Sequence, residues 1–156
     1  MKDIIKEVRV MKKDGSEIYI RTADNLDLSY RHSALQDDEE IVLSVNMELT
    51  CDDEVSIKAR MDELAEKRRT KQPVNLPSAG SFFKRPVGGY AAALIEEAGL
   101  KGYSVGGASV SSKHSGFVVN DGGATFSDIM KLMKHVQKTV NEKFGIMLEP
   151  EVRIIE

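Results

Sequence analysis

The segment "SAGSFFKRPVGGYAAALIEEAG", from Ser78 to Gly99, decides how this chain folds and which side chain it holds in a fixed position. Glycines and prolines surround Ser81, two phenylalanines and two cations, and the run that follows has helical spacing. Proline fixes φ and glycine permits tight turns, so a hydroxyl placed here has little freedom. The segment therefore predicts a rigid turn that presents Ser81, followed by a helix from about Ala91 to Ala98 that Gly99 terminates.

Upstream of this segment, hydrophobic spacing predicts two strands in a hairpin, a third strand and a helix. The pair Asp14-Gly15 separates two short runs of alternating residues, which is typical of a β-hairpin. Strict alternation from Ile41 to Leu49 predicts a strand. Asp52 and Asp53 then offer N-caps for a helix. Its apolar face comprises Ile57, Met61, Leu64 and Ala65.

Downstream, the spacing predicts a long helix and a final strand. Thr125 and Asp128 have capping-box spacing, and apolar residues keep helical order from about Phe126 to Phe144, up to Gly145. Alternation from 146 to 155 predicts a strand that ends the chain. Strands and helices of this kind predict an α+β fold.

The composition gives no support to several classes of function. The 156 residues carry a net charge of -3 and no basic tail, so the chain has no electrostatic preference for nucleic acid or anionic membranes. One cysteine, Cys51, and three histidines predict no internal disulfide and no metal site. No apolar run reaches membrane length and no signal peptide opens the chain, so we expect a cytoplasmic protein.

The stretch "EKRRTKQPVNLPSAGSFFKRP", residues 66 to 86, changes character: it holds three of the four prolines and six Lys or Arg residues. It is typical of a domain junction. Its cations have two interpretations. They are solvated charges that complement the end of a helix, or Arg68, Lys71 and Lys84 converge on a diphosphate.

Four segments together resemble a known family. They are "YRHS" (Tyr30 to Ser33), "RRTKQPVNLPSAGSFFKRP" (Arg68 to Pro86), "LIEEAGLKGYSVGGASVSSKHSGFVVN" (Leu94 to Asn120) and "LEPEVRII" (Leu148 to Ile155). In this order they are similar to the C-terminal half of the UDP-N-acetylenolpyruvoylglucosamine reductases, flavoenzymes of peptidoglycan precursor synthesis. The resemblance covers essentially the whole chain.

The resemblance implies an activity and three catalytic residues. NADPH reduces bound FAD, and the flavin then reduces UDP-N-acetylglucosamine enolpyruvate to UDP-N-acetylmuramate. Ser81 matches the proton donor, and Arg31 and Glu151 match the groups at the substrate carboxylate, with Arg31 also on the FAD side. Outside the resemblance, Ser81 is a turn or cap hydroxyl, and Glu151 is a solvated carboxylate paired with Arg153.

The resemblance also implies residues that bind the nucleotide sugar. Lys71 matches a position near the diphosphate, while Arg68 and Asn120 lie in motifs that border the site. Lys84 and Arg85 complete the predicted substrate-binding set, although some relatives carry asparagine at the position of Arg85. Two further features each have two interpretations. Gly106-Gly107 cradles a phosphate or, as we expect, is a turn or bulge. His114 binds substrate or, as we expect, is a structural histidine.

Two departures from the family pattern shape the predicted domains. The spacing between Arg31 and Arg68 leaves no room for a tyrosine-bearing loop, so the chain resembles the subclass without that insertion. Its first residues match a position after the glycine-rich segment that holds the FAD pyrophosphate. We therefore expect residues 1–72 to be the remnant of a mixed-sheet FAD-binding domain, 73–147 an α+β substrate-binding domain, and 148–156 a returning strand that carries the catalytic Glu.

By these expectations the chain is a fragment of the enzyme, and its partner is the N-terminal FAD half. Its own flavin site is incomplete, so we expect no activity from the chain alone. Two alternatives stay open. One is a stand-alone UDP-sugar binding module without catalysis. The other is an unrelated α+β domain whose motifs match by coincidence.

Overall fold

The computed structural model describes residues 2–155, which form two compact units. The first unit ends at Ser56 and the second begins at Ile57, and each is described by itself. The strands are β1 (Ile5–Met11), β2 (Ile18–Thr22), β3 (Ile41–Met47), β4 (Ser78–Ser81), β5 (Ser104–Val105), β6 (Ala108–Val110) and β7 (Phe117–Asn120). The helices are a 3-10 turn (Ala23–Leu26), α1 (Ala34–Asp37), α2 (Glu54–Lys71), α3 (Ala91–Glu97) and α4 (Phe126–Phe144).

The first unit is built on a three-stranded antiparallel sheet in the order β2-β1-β3. The predicted hairpin is confirmed: β1 pairs with β2, with Val10 opposite Tyr19. Val8 and Val10 point to one face of β1, where they are buried with Leu26 from the 3-10 turn. The alternation therefore places Val8 and Val10 on the buried face, whereas Ile18 and Ile20 of β2 lie on the opposite face and are 49% and 58% exposed.

Strand β3 confirms the strand predicted from 41 to 49, but its apolar side chains are not buried. All seven of its residues are exposed, including Val45 at 40%. The strand lies at the edge of the sheet, with β1 as its neighbour. Alternation thus identifies the strand correctly, although the described residues do not cover its apolar face.

Helix α2 begins as predicted. The Asp53 carboxylate accepts hydrogen bonds from the Ser56 amide at 3.0 Å and from the Ser56 hydroxyl at 3.1 Å, which is N-cap geometry. The helix contains no buried residue among those described. Its apolar residues are exposed, as Met61 shows at 64%.

The second unit packs helices on one face of a four-stranded antiparallel sheet in the order β4-β7-β6-β5. Ala108 and Val110 of β6 are buried in the same core as Leu132 and Val136 of α4. Helix α4 spans the predicted residues and begins with the predicted capping box. Its C-cap, Gly145, has a φ of 68°, a conformation that glycine adopts without a steric penalty.

The predicted final strand is wrong. The described part of segment 146–155 contains no strand, and its one bridge pairs Phe83 with Pro150. Phe83 and Pro150 form a non-hydrogen-bonded pair that two backbone hydrogen bonds flank, and the described tail makes no further bridge. The segment is instead an extended tail that packs on the second unit, where Leu148 is 1% exposed.

The α+β class is confirmed, since helices combine with antiparallel sheets. All strand pairs among residues 2–155 are antiparallel, so the mixed character expected of a complete first domain is not present within them. The predicted boundary at 72/73 falls just after α2, whereas the two compact units divide near the start of that helix. The domain limits stay a prediction.

Candidate functional site

Ser81 is the last residue of β4, an edge strand of the second unit. It lies opposite Phe117, and Gly80 before it has a φ of 85° at an irregularity in the pairing. A positive φ at a bulge is a glycine conformation that redirects the next side chain. The Ser81 side chain is exposed.

Two phenylalanines after Ser81 hold this strand in place. Phe82 and Phe83 are 4% and 5% exposed, and their rings meet edge to face at 5.2 Å. The Phe82 amide donates to the Gly116 carbonyl at 2.8 Å. The turn predicted from sequence is therefore a strand end, and buried aromatic anchors limit its freedom.

Glu151 lies in the segment beside this strand. Its amide donates to the Phe82 carbonyl at 2.9 Å, and the Lys84 amide donates to the Glu149 carbonyl at 2.8 Å. The structure thus brings two of the three predicted catalytic residues, Ser81 and Glu151, onto neighbouring segments of one unit.

Arg31 belongs to the first unit and lies at the tip of a tight turn. Ser29 and His32 form an isolated bridge, so Tyr30 and Arg31 are the two central residues. Arg31 has a φ of 58°, an uncommon conformation for a residue with a side chain. Its guanidinium lies 5.8 Å from the centre of the Tyr30 ring. Residues held in such conformations cluster at functional sites.

A buried charged group in the first unit was missed by the sequence analysis. The Glu40 side chain is 1% exposed and accepts hydrogen bonds from the Tyr19 hydroxyl and, at 2.7 Å, from the Arg21 guanidinium. Burial raises the pKa of Glu40. No sequence pattern distinguishes this glutamate from its exposed neighbours, Asp38 and Glu39.

The predicted phosphate cations Arg68 and Lys71 lie in the last turn of α2. Arg68 Nε donates to the Gln72 side chain at 3.3 Å. The Lys113 ammonium, which the sequence analysis did not consider, donates to the carbonyl of Arg69 in the same turn. Cations at this helix end complement its macrodipole, which agrees with the interpretation of these residues as solvated charges. Arg68 and Lys71 are also exposed, as contact with a diphosphate requires.

The other predicted substrate-binding residues already have partners. Lys84 forms an ion pair with Glu149. Arg85 Nε donates to the Gly89 carbonyl at 3.1 Å, and its guanidinium lies 4.1 Å from the centre of the Tyr90 ring. The Asn120 side-chain oxygen accepts from two amides of its own loop, those of Gly122 at 2.9 Å and Ala124 at 3.1 Å.

The glycine pair is a two-residue turn between β5 and β6, as its structural interpretation predicts. A Cβ at Gly107 would lie 2.4 Å from the Gly122 carbonyl oxygen, and one at Gly106 would meet the Asp128 carboxylate. A carboxylate therefore occupies the place that a phosphate would need. His114 is also structural: its Nδ1 accepts from the Gly116 amide at 3.1 Å.

A polar cavity of about 470 Å³ in the second unit was also missed. Ser109 and Ser111 face it, with Asp121 and Lys113, and Ser109 donates to the Asp121 carboxylate. The alternation Ala-Ser-Val-Ser from 108 to 111 was the available signal, since it places hydroxyls on the sheet face opposite the core.

The described residues form neither a metal-ion cluster nor a membrane-spanning helix. Residues 2–155 contain no cluster of three His, Cys, Asp or Glu side chains suited to a metal ion. Within the same range, none of the helices combines the length and the apolar character needed to cross a membrane.

Comparisons with known proteins agree with the resemblance. The reductase of Caldanaerobacter subterraneus subsp. tengcongensis is 50% identical over 155 residues, 99% of this chain and 51% of that protein. The reductase of Limosilactobacillus reuteri subsp. reuteri is 51% identical over 154 residues, again 99% of this chain and 51% of the relative. The chain thus spans about half the length of the curated relatives it matches.

A solved structure and a family model identify the fold and the family. The crystal structure of UDP-N-acetylenolpyruvylglucosamine reductase from Thermus caldophilus matches with a TM-score of 0.84 and 33% identity, covering 99% of this chain and 54% of that one. The model of the family described as UDP-N-acetylenolpyruvoylglucosamine reductase, C-terminal domain, matches residues 72–155. Since that match covers more than half of the chain, the chain belongs to the UDP-N-acetylenolpyruvoylglucosamine reductase C-terminal domain family.

Proposed function

We propose that this chain supplies the substrate side of a reductase that converts UDP-N-acetylglucosamine enolpyruvate to UDP-N-acetylmuramate in peptidoglycan precursor synthesis. The observation that carries the proposal is the pairing of segment 82–84 with segment 149–151. The first segment directly follows Ser81, and the second contains Glu151. A stand-alone sugar-binding module does not require a hydroxyl and a carboxylate on facing segments, whereas the reduction requires both.

FAD does not fit the described residues alone. Its pyrophosphate needs a run of open backbone amides. At the Gly106-Gly107 turn the Asp128 carboxylate fills that space, and the amides of Gly122 and Ala124 bind Asn120. We therefore assign FAD and its reductant NADPH to an N-terminal half such as the relatives carry.

The chain's own residues perform the proton and charge steps. A flavin bound in the N-terminal half would supply the hydride that adds to the terminal carbon of the enolpyruvyl double bond. Ser81 Oγ then donates its proton to the neighbouring carbon, so that the former C=C double bond becomes a C–C single bond. Ser81 regains a proton from solvent. A serine hydroxyl is a weak acid, so this step depends on its fixed position next to a strongly basic carbon.

Arg31 and Glu151 act on the substrate carboxylate. Negative charge builds up there as hydride arrives, and a guanidinium beside it lowers the energy of that state. Glu151 acts there as a carboxylic acid, whose O–H donates a hydrogen bond to the same group. Lys71 and Arg68, exposed at the end of α2, bind the diphosphate, while Asn120 and Arg85 border the sugar.

Completion of the chain with the N-terminal half of the Caldanaerobacter relative tests this function. The completed protein should oxidise more than one equivalent of NADPH per bound FAD only when UDP-N-acetylglucosamine enolpyruvate is present. Bound FAD and its reduction by NADPH serve as the control for folding of the added half. A completed protein that holds reducible FAD and binds the UDP-sugar without reducing it would favour the binding-module alternative.

A further inference from the structure

Two backbone hydrogen bonds align Glu151 with the strand of Ser81. The Lys84 amide donates to the Glu149 carbonyl at 2.8 Å, and the Glu151 amide donates to the Phe82 carbonyl at 2.9 Å. Between them Pro150 lies opposite Phe83 in the bridge, so these two bonds make up the backbone pairing of the tail with this segment.

Such a short ladder fixes its register only weakly. A slip by one residue reverses which side each side chain faces. It would therefore turn the Glu151 carboxylate away from the side it now occupies, while leaving most of the fold intact. The register must be held by contacts other than the ladder itself.

Two side-chain contacts act on the residues just before Glu151. Gln137 Nε2, from the middle of α4, donates to the Leu148 carbonyl at 2.8 Å in a partly buried position. The Lys84 ammonium forms an ion pair with the Glu149 carboxylate. The Leu148 side chain is 1% exposed, so this point of the tail is also anchored in the core.

We propose that Gln137 and the Lys84–Glu149 pair are positioning groups that hold Glu151 in register with Ser81. The proposal rests on the proposed function, because it assigns these groups to the reaction of Glu151. It also gives Lys84 a role other than the predicted contact with substrate. Helix α4 is a suitable anchor because its capping box and its buried face fix it to the sheet.

The first test measures register in the 156-residue chain without any reaction. Amide hydrogen exchange is followed by NMR at Glu151 and at Lys84. Gln137→Met keeps the volume but removes the donor, and it should speed exchange at Glu151 about five- to tenfold, the effect of one lost hydrogen bond. Gln137→Arg retains an N–H donor and should recover most of the protection.

A neighbouring residue provides the matched control. Lys138 also lies on α4, but its ammonium points to Glu142 at 3.8 Å on an exposed surface. Lys138→Met should leave exchange at Glu151 unchanged. If Gln137→Met left it unchanged as well, the positioning proposal would be overturned.

The second test uses the chain completed with the Caldanaerobacter N-terminal half. Gln137→Met and Lys84→Glu should each lower kcat several-fold, with KM for the enolpyruvyl substrate and the rate of flavin reduction by NADPH nearly unchanged. The charge swap Lys84→Glu with Glu149→Lys should recover most of the loss in kcat, since it restores the ion pair in reverse.

The outcomes separate this proposal from the proposed function. Faster exchange with an unchanged kcat would show that the contacts are only structural and would overturn the positioning role. A large rise in KM for Lys84→Glu that the swap does not reverse would make Lys84 a substrate ligand instead. If Ser81→Ala and Glu151→Gln leave flavin reoxidation unchanged, the proposed function itself fails, whatever the exchange rates show.

Discussion

Replacing Gly107 with alanine should destabilise the second unit while the same change at Gly89 should not. An added Cβ at Gly107 would lie 2.4 Å from the Gly122 carbonyl oxygen and 2.5 Å from the Ala124 nitrogen, whereas ordinary contacts begin at 3.4 Å. Both neighbours are backbone atoms, so the two loops must separate by roughly 1 Å. At Gly89 an added Cβ meets nothing within 4 Å and φ is not positive.

The free energy of unfolding follows from what that separation disrupts. Overpacking typically costs about 1–3 kcal/mol, and the Asp121 amide would lose its 2.9 Å bond to the Gly107 carbonyl, worth about 1 kcal/mol. We therefore expect Gly107→Ala to lower stability by about 2–4 kcal/mol and Tm by roughly 10 °C or more in a unit of this size.

Thermal unfolding followed by far-UV circular dichroism measures the difference between the two variants. Gly89→Ala should melt within about 2 °C of the parent, since a compatible Gly→Ala change is neutral or slightly stabilising. If Gly107→Ala melted at the same temperature as Gly89→Ala, the close approach of the two loops, and with it the structural interpretation of the glycine pair, would be refuted.

Three further predictions concern the core, the pH response and the flavin. Leu132→Ala, at a fully buried position of α4, should cost about 3–5 kcal/mol in urea unfolding, whereas Leu64→Ala on exposed α2 should change stability little; equal effects would contradict the assigned core. The Thr125 amide and hydroxyl hold the pKa of Asp128 below its usual range, so the capping contribution is present above about pH 4 and is lost as the pH falls further. The stability gap between the parent and Asp128→Ala should therefore shrink in acid, and a gap that is constant with pH would argue against the cap. The chain alone should purify colourless and without reductase activity, and stoichiometric yellow flavin retained through gel filtration would refute the assignment of FAD to another half.

Local signals predicted the helices α3 and α4 of the second unit, but not the four strands of its sheet. Helix α4 is predicted to its ends because a capping box, a helical apolar stripe and a terminal glycine all indicate the same element. The turn at Gly106-Gly107 is predicted because a glycine pair after a short strand is more often a turn or bulge than a phosphate cradle.

The errors arise where tertiary context decides. Alternation predicted a strand from 146 to 155, but among the described residues the tail forms only one bridge, at Pro150. Alternation also identified β3 without indicating that its apolar face would be exposed within the described residues. In both cases side-chain spacing indicates a preference for strand conformation. Pairing and burial depend instead on which other segments lie alongside.

The candidate site was likewise predictable only in part from the sequence. Motif resemblance named Ser81, Arg31 and Glu151, but no local pattern could predict that Gln137 bonds the tail that carries Glu151, because the two lie on separate elements. Likewise, the partner of Lys84 is a glutamate 65 residues away in the chain. Contacts of this kind emerge only once the fold is known.

Stopped-flow kinetics of Ser81→Ala, in the chain completed with an N-terminal flavin half, tests the central claim most directly. Flavin reduction by NADPH should keep the parental rate, because that step does not involve this hydroxyl. Reoxidation by the enolpyruvyl substrate should slow about 100-fold or more, equivalent to roughly 3 kcal/mol of barrier, and Ser81→Cys should recover part of it. Reoxidation of Ser81→Ala at the parental rate would contradict the account and leave Ser81 as a structural strand-end residue.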